Sequence, residues 1–216
     1  MTQKMIEVIG KAFPLTELPC GEYASQKVSG MKFSIRRFQA EGLGAVSVMV
    51  ASGFFGLMKM DTLIITPTQK DMPLFSYDRV LAMGNDTLIF ELYDTLLEGA
   101  DLSSLDGVKA KYASLPDHDL GSHWYDSIKL GVSLSKKGKK ADSANFDACT
   151  MEYLDAFLEA AKAVSACQAA PKREKASVYV EGLLKNGGPS TDVFKKGIGE
   201  EKTAQLFRKI LFATEE

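Results

Sequence analysis

The chain of 216 residues has only three cysteines, two histidines and one tryptophan. Cys20, Cys149 and Cys167 are far apart and odd in number, with no CxxC or zinc-type spacing, so neither a disulfide framework nor a structural metal site is expected. His118 and His123 share one polar loop and lack the partners a metal site needs; solvent exposure is the expectation for both. No apolar run approaches the roughly 18 residues of a membrane span, and the opening MTQKMIEVIGKAF is too polar for a signal peptide. An excess of either charge is missing too. With 26 Lys+Arg against 28 Asp+Glu the formal charge is −2, whereas nucleic-acid binding draws on a net basic surface to release phosphate counterions. Catalytic signatures are equally sparse: there is no GxSxG, P-loop or HExxH, and Gly197-Ile198-Gly199 lacks a third glycine and a preceding strand. Hydrophobic residues at 45% and charged residues at 25% leave an ordinary globular composition. The expectation is a cytoplasmic single domain over residues 1–216, with neither nucleic acid nor membrane as partner.

What is present divides into a β-rich first half and a helical second half. Residues 2–13 place Met5, Ile6, Ile9 and Phe13 at helical spacing before Pro14 stops the run. Over residues 23–94, MKFSIRRF, AVSVMV, FFGLMKMDTLIIT, LFSYDRVLAM and DTLIFELYD are short β-branched and aromatic segments separated by glycine-containing turns, and Gly84-Asn85 reads as a tight hairpin. Five strands at hairpin spacing imply an antiparallel meander, because parallel neighbours need crossover helices. Val46, Val48 and Val50 share one face of their strand, while Ser47, Met49 and Ala51 make the other face semi-apolar. A sheet apolar on both faces has to be covered on both. Helices are expected over residues 102–115, from Asp142 onward, from Pro171 through Lys185, from Ser190 or Thr191 to Gly197 or Gly199, and through the closing EEKTAQLFRKILF. WYDSIKLGVSLS reads as a returning strand and KKGKK as a solvated basic loop. The fold class is therefore α/β: a three-layer α/β/α sandwich with a central antiparallel sheet.

Asp78 stands out because it lies inside a strand among Phe75, Tyr77 and Val80, where aspartate has poor propensity. Beneath helices its carboxyl would be desolvated and its pKa raised toward a value useful for proton donation. The alternative is that Asp78 points to water or forms a structural ion pair with Arg79 or Arg37.

The stretch Pro73-Leu74-Phe75-Ser76-Tyr77-Asp78, with the hydrophobic strand pair that follows, resembles the central motif of the ferredoxin-dependent bilin reductases. The run from Tyr179 through Lys185-Asn186 and Val193-Phe194-Lys195-Lys196-Gly197-Ile198-Gly199 to Leu206-Phe207-Arg208-Lys209-Ile210-Leu211-Phe212 is similar to that family's closing helices. Trp124 also falls on a family position, and the likeness extends from about Val46 onward. The resemblance implies an antiparallel α/β/α sandwich that holds a linear tetrapyrrole, normally biliverdin, between the sheet and the C-terminal helices. It implies reduction by single electrons from ferredoxin through radical intermediates, with no metal or flavin of the protein's own. The family's strand aspartate falls on Asp78, which becomes the expected proton donor. Counting back without gaps places the positions of two family histidines on Asp61 and Ser47, so Asp61 is a candidate to share proton transfer. A second family aspartate falls on Gly187 or Gly188, with Asp192 close by and expected to cap a helix. For the substrate the candidates are Ser47, Met49 and Gly187, with Arg36, Arg37 and Lys59 at the rim for propionates. Met58, Met60 and Met83 are further possible lining residues. Lys136, Lys137, Lys139 and Lys140, with the run Lys172-Arg173-Glu174-Lys175, would meet an acidic ferredoxin. The rival readings are a tetrapyrrole carrier on the same scaffold, since the second aspartate is missing, and a reductase of another conjugated ligand.

Overall fold

Alternating apolar residues in the first half build one sheet. The computed structural model describes residues 1–215. It forms β1 (Leu15–Leu18), β2 (Ser25–Val28), β3 (Met31–Ala40), β4 (Gly44–Gly53), β5 (Met58–Pro67), β6 (Leu74–Ala82), β7 (Asn85–Tyr93) and β8 (Leu134–Lys139). Every pairing is antiparallel, in the order β1-β3-β4-β5-β6-β7-β8. β3 is long enough to pair with β2 along its first half and β1 along its second. The expected meander is thus β3 to β7, extended by β1 and β2 along the β3 edge and by β8 along the β7 edge.

Both faces are covered. α1 (Thr2–Ala12), α2 (Ser103–Lys111) and α3 (Ser143–Ala163) lie on one face. There Val46, Val48, Phe75, Phe90, Phe146 and Phe157 are among the residues that close a continuous core. The other face is covered by α4 (Ala169–Asn186), α5 (Pro189–Ile198) and α6 (Glu200–Gln205), the last running into a π-helical segment, Leu206–Leu211. Phe33, Ile35, Met49, Phe194 and Phe207 belong to this second core. The result is the three-layer sandwich with helices on each side of an antiparallel sheet.

Local departures have local causes. KKGKK is not a loop: Lys136 to Lys139 belong to β8 and pair with β7 from Asn85 to Leu88. Lysine on an edge strand blunts further strand addition, so charge hides the strand from a propensity reading. WYDSIKLGVSLS divides into a 3₁₀ turn at Trp124–Ile128 and a strand that starts only at Leu134. The β6–β7 turn falls one residue early, at Met83-Gly84, both with positive φ (51° and 76°), so that Ala82 pairs with Asn85.

Candidate functional site

Alternation on β6 sends consecutive residues to opposite faces. Arg79 turns toward α3, where its Nε donates to Asp86 Oδ1, its Nη2 to Asp86 Oδ2 (2.6 Å) and its Nη1 to Asp147 (3.1 Å). Asp78 turns the other way, under the C-terminal helices, and has no cation beside it. Its partner is the hydroxyl of Thr62, which lies directly across on β5 and donates to Asp78 Oδ1. Burial pushes the Asp78 carboxyl up to about 6; the Thr62 bond opposes the shift and the charge of Glu91 adds to it. The carboxyl's remaining accessible surface faces a cavity of about 270 Å³ between sheet and helices.

The cavity is apolar on its floor, where Met49, Met60 and Ile64 contribute, and aromatic at one end. Tyr93 and Tyr179 stack with ring centroids 4.1 Å apart, and Tyr125 meets Tyr93 edge-on at 5.5 Å. Burial raises the pKa of all three phenols, so they remain neutral. Tyr93 donates to Glu91 Oε2 at 2.6 Å, while Glu91 Oε1 is buried without a hydrogen-bond partner, 3.6 Å from Lys129 Nζ. His123 lines the same end, its ring parallel to Tyr125 at 4.8 Å and its Nδ1 buried without a partner. Trp124 supports this wall from behind. Its Nε1 donates to Gly187 O at 3.1 Å, and its ring lies so close to α4 that a Cβ on Gly182 would sit 2.2 Å from it. The walls at this end are aromatic, and Asp78 is an acid on the sheet side of the cavity.

The same arrangement of sheet and helices occurs in a solved structure. The crystal structure of selenomethionine phytochromobilin synthase from tomato in complex with biliverdin superposes with a TM-score of 0.80, covering 99% of this chain and 82% of that chain, at 15% identity. The two chains share one fold. Phytochromobilin synthase thus has the antiparallel sheet and flanking helices that the residue pattern of this chain implies. No family model matches the sequence, and no curated protein matches it.

Phytochromobilin synthase was crystallised with biliverdin, and the candidate residues for such a ligand here separate into those at the cavity and those away from it. Asp78 and Met49 line the cavity; Gly188 does, but Gly187 stands behind it, accepting from Trp124. Asp61 is corrected. It is one residue out of phase with Thr62, faces α1, and pairs with the amino group of Met1 at 3.1 Å. Ser47 is on the cavity face but donates to Leu211 O (2.7 Å), fastening the C-terminal segment to β4. Arg37 has a similar task, donating to Pro19 O and Lys209 O. Arg36 is on the opposite face in a bidentate pair with Glu17, both contacts 2.8 Å, and Lys59 is exposed on that face. No lysine or arginine lines the cavity among the described residues. Of the remaining methionines, Met58 is absent from the lining and Met83 is exposed at a turn.

Lys136 is also corrected as a docking residue. It is buried, with Nζ donating to Leu115 O (2.9 Å) and paired with Asp117 (2.6 Å), whereas Lys137, Lys139 and Lys140 are exposed. Lys172 is buried as well, donating to the carbonyls of Met72 and Thr95 at 2.7 and 2.6 Å. Asp192 is exposed and lies against Gly187, away from the cavity. Glu91, Thr62 and His123, with Tyr93, Tyr125 and Tyr179, are among the cavity residues not anticipated. The criterion that singles out Asp78, an acid among apolar residues inside a strand, applies equally to Glu91 between Phe90 and Leu92. Nothing local marks His123, whose position depends on how the loop before β8 folds back.

Proposed function

We propose that the protein binds a linear tetrapyrrole of the biliverdin type in this cavity and reduces it, with Asp78 as proton donor and a ferredoxin-type carrier as electron source. Asp78 is the observation that carries the reading. It is a carboxyl without a cation, held near neutrality by burial and facing the space between sheet and C-terminal helices. The likeness in fold to a protein crystallised with biliverdin supports the choice of ligand. One two-electron reduction adds two electrons, delivered singly by the carrier, and two protons. Asp78 gives a proton and is recharged from solvent; Thr62 holds the carboxyl in place. Glu91, oriented by Tyr93, is the second acid of the cavity and stands in for the carboxylate absent at Gly187 and Gly188.

The enclosed volume of about 270 Å³ is at the small end of ligand pockets, roughly 300–1,000 Å³, so part of a four-ring ligand extends outside it. With no lysine or arginine in the lining, its propionates belong to that outer part. Lys137, Lys139 and Lys140 remain the candidates to receive an acidic carrier, and residues 1–216 act as one unit. The rival is a carrier that holds the bilin unchanged. Titration with biliverdin under anaerobic conditions is expected to give a structured, red-shifted absorption band, and reduced ferredoxin then to bleach or shift it. An unchanged bound spectrum on adding the donor would make the protein a carrier; no spectral response to biliverdin at micromolar protein would remove both readings.

A further inference from the structure

The opposite use of apolar residues occurs at the tips of the sheet. The β4–β5 loop, Phe54-Phe55-Gly56-Leu57, exposes Phe54 by 57% and Leu57 by 69%, with Phe55 fully in solvent. Antiparallel pairing places the β6–β7 turn at the same end, where Met83 is 91% exposed. These two tips are two strands apart, about 10 Å. Phe54, Phe55 and Met83 all have positive φ (50°, 56° and 51°), a conformation suited to glycine or asparagine and strained for a large side chain. Folding alone favours none of this: each position is strained and each side chain is in water.

The charges next to the tips are equally uneconomical for folding. Lys27 of β2 pairs with Lys32 of β3, Lys32 with Ser52, and Ser52 with Lys59 of β5, so three lysines stand in one row across four strands. Like charges directly opposite destabilise a sheet. All three are exposed, and none has an ion-pair partner among the described residues. Lys27 and Lys32 line a groove of about 660 Å³ together with Phe54 and Phe55. Lys139 and Lys140 flank the Met83 tip, with Lys140 N donating to Gly84 O at 3.1 Å.

We propose that this end of the sheet is a docking surface for an anionic phospholipid membrane: Phe54, Phe55, Leu57 and Met83 enter the interface, and Lys27, Lys32 and Lys59 contact headgroup phosphates. The observations favour lipid over an acidic protein because the exposed apolar side chains project from two separate tips, Phe54-Phe55-Leu57 and Met83, beside a row of lysines without ion-pair partners among the described residues. A deformable interface accommodates projecting groups, whereas a folded partner would need a matched pocket for each. The contact is peripheral, and no helix among the described residues is long and apolar enough to cross a membrane. The proposal is independent of the bilin reading, although Met60 and Val80, three residues inward from Leu57 and Met83, line the cavity.

Sedimentation with vesicles of phosphatidylcholine, with and without phosphatidylserine, tests it. The full chain is expected to pellet with phosphatidylserine vesicles, to remain in solution with phosphatidylcholine alone, and to lose binding as salt rises. Phe54→Asn/Phe55→Gly suits the local φ and keeps or raises thermal stability, so it separates docking from folding. It is expected to weaken binding by about tenfold or more, since burial of one phenylalanine alone accounts for such a factor. Lys27→Gln/Lys32→Gln is expected to weaken it by roughly fivefold per lysine. Absence of pelleting with phosphatidylserine, or undiminished pelleting of the phenylalanine variant, would overturn the proposal. So would binding of a soluble acidic ferredoxin through these residues while vesicles are left untouched, which would assign the surface to a protein.

Discussion

Asp78 and Arg79 are consecutive residues of β6, yet one opens onto a cavity and the other is closed inside an ion pair beneath α3. On the α1–α3 face, charge is matched: Asp86 receives Arg79 and the hydroxyl of Ser143, and the Arg79 guanidinium lies over the ring of Phe146. On the opposite face Asp78 has a single hydroxyl for a partner, and Glu91 Oε1 has no hydrogen-bond partner, with Lys129 Nζ 3.6 Å away. Buried polar groups are normally satisfied. Under the proposed reading the first face is structural and the second is chemically unfinished, a set of groups that a ligand would complete.

The largest effect should come from the unfinished face. Asp78→Asn keeps the shape and removes the acid; bilin binding is expected to persist, while turnover with reduced ferredoxin falls by about 10²–10⁴-fold, the usual range for a lost general acid. Turnover at the wild-type rate would dismiss Asp78 as donor. The protonated carboxyl is the competent form, so wild-type turnover should decline as pH rises above about 6. Stability moves with the same proton. Burial raises this pKa from an ordinary value near 3.8, so the folded state binds the proton more tightly than the unfolded chain. The stabilisation is whole below pH ~4 and is lost as pH rises through about 6. Asp78→Asn should accordingly be more stable than wild type at pH 8, by up to about 3 kcal/mol, and no more stable at pH 4. Urea melts at the two pH values check the sign.

On the structural face the expected order is reversed, with stability affected first. Asp86→Ala leaves buried Arg79 with only the exposed Asp147 as counter-charge and should destabilise by about 3 kcal/mol in denaturant melts, with the bilin spectrum retained wherever the chain is folded. Gly182→Ala tests the wall behind the cavity. Alanine improves helix propensity by about 1 kcal/mol, but its methyl collides with Trp124; net destabilisation of about 1–2 kcal/mol and weaker bilin binding are expected. The smallest effect belongs to Asp61→Asn, which breaks a partly exposed pair with the Met1 amino group: less than about 1 kcal/mol in stability and no change in turnover. A loss of turnover in Asp61→Asn as large as in Asp78→Asn would erase the distinction between the faces.

The layers of the fold were legible because periodicity reports burial directly. Val46 and Val48 against Ser47 and Met49 announce a sheet covered on both sides, and Met5, Ile6 and Ile9 announce the helix that covers one of them. Asp78 was legible for the same reason, as an acid where an apolar residue is expected. Asp61 was misplaced because counting along neighbouring strands without gaps does not fix register, and an error of one residue reverses the face. The true neighbour, Thr62, is the next residue along. The lysines of β8 concealed a strand, and Lys136 concealed a buried amine, because edge strands are defined by pairing and not by composition. His123 and Tyr125 reach the cavity through a 3₁₀ turn whose path depends on tertiary packing.

Trp124 is the only indole in the chain, and it is anchored to Gly187 and packed against Gly182 at the back of the cavity wall. Its ultraviolet emission therefore arises from one known place beside the ligand space. A chromophore that settles there would quench that light by energy transfer, giving an optical gauge of occupancy that needs no label and does not depend on whether any chemistry follows.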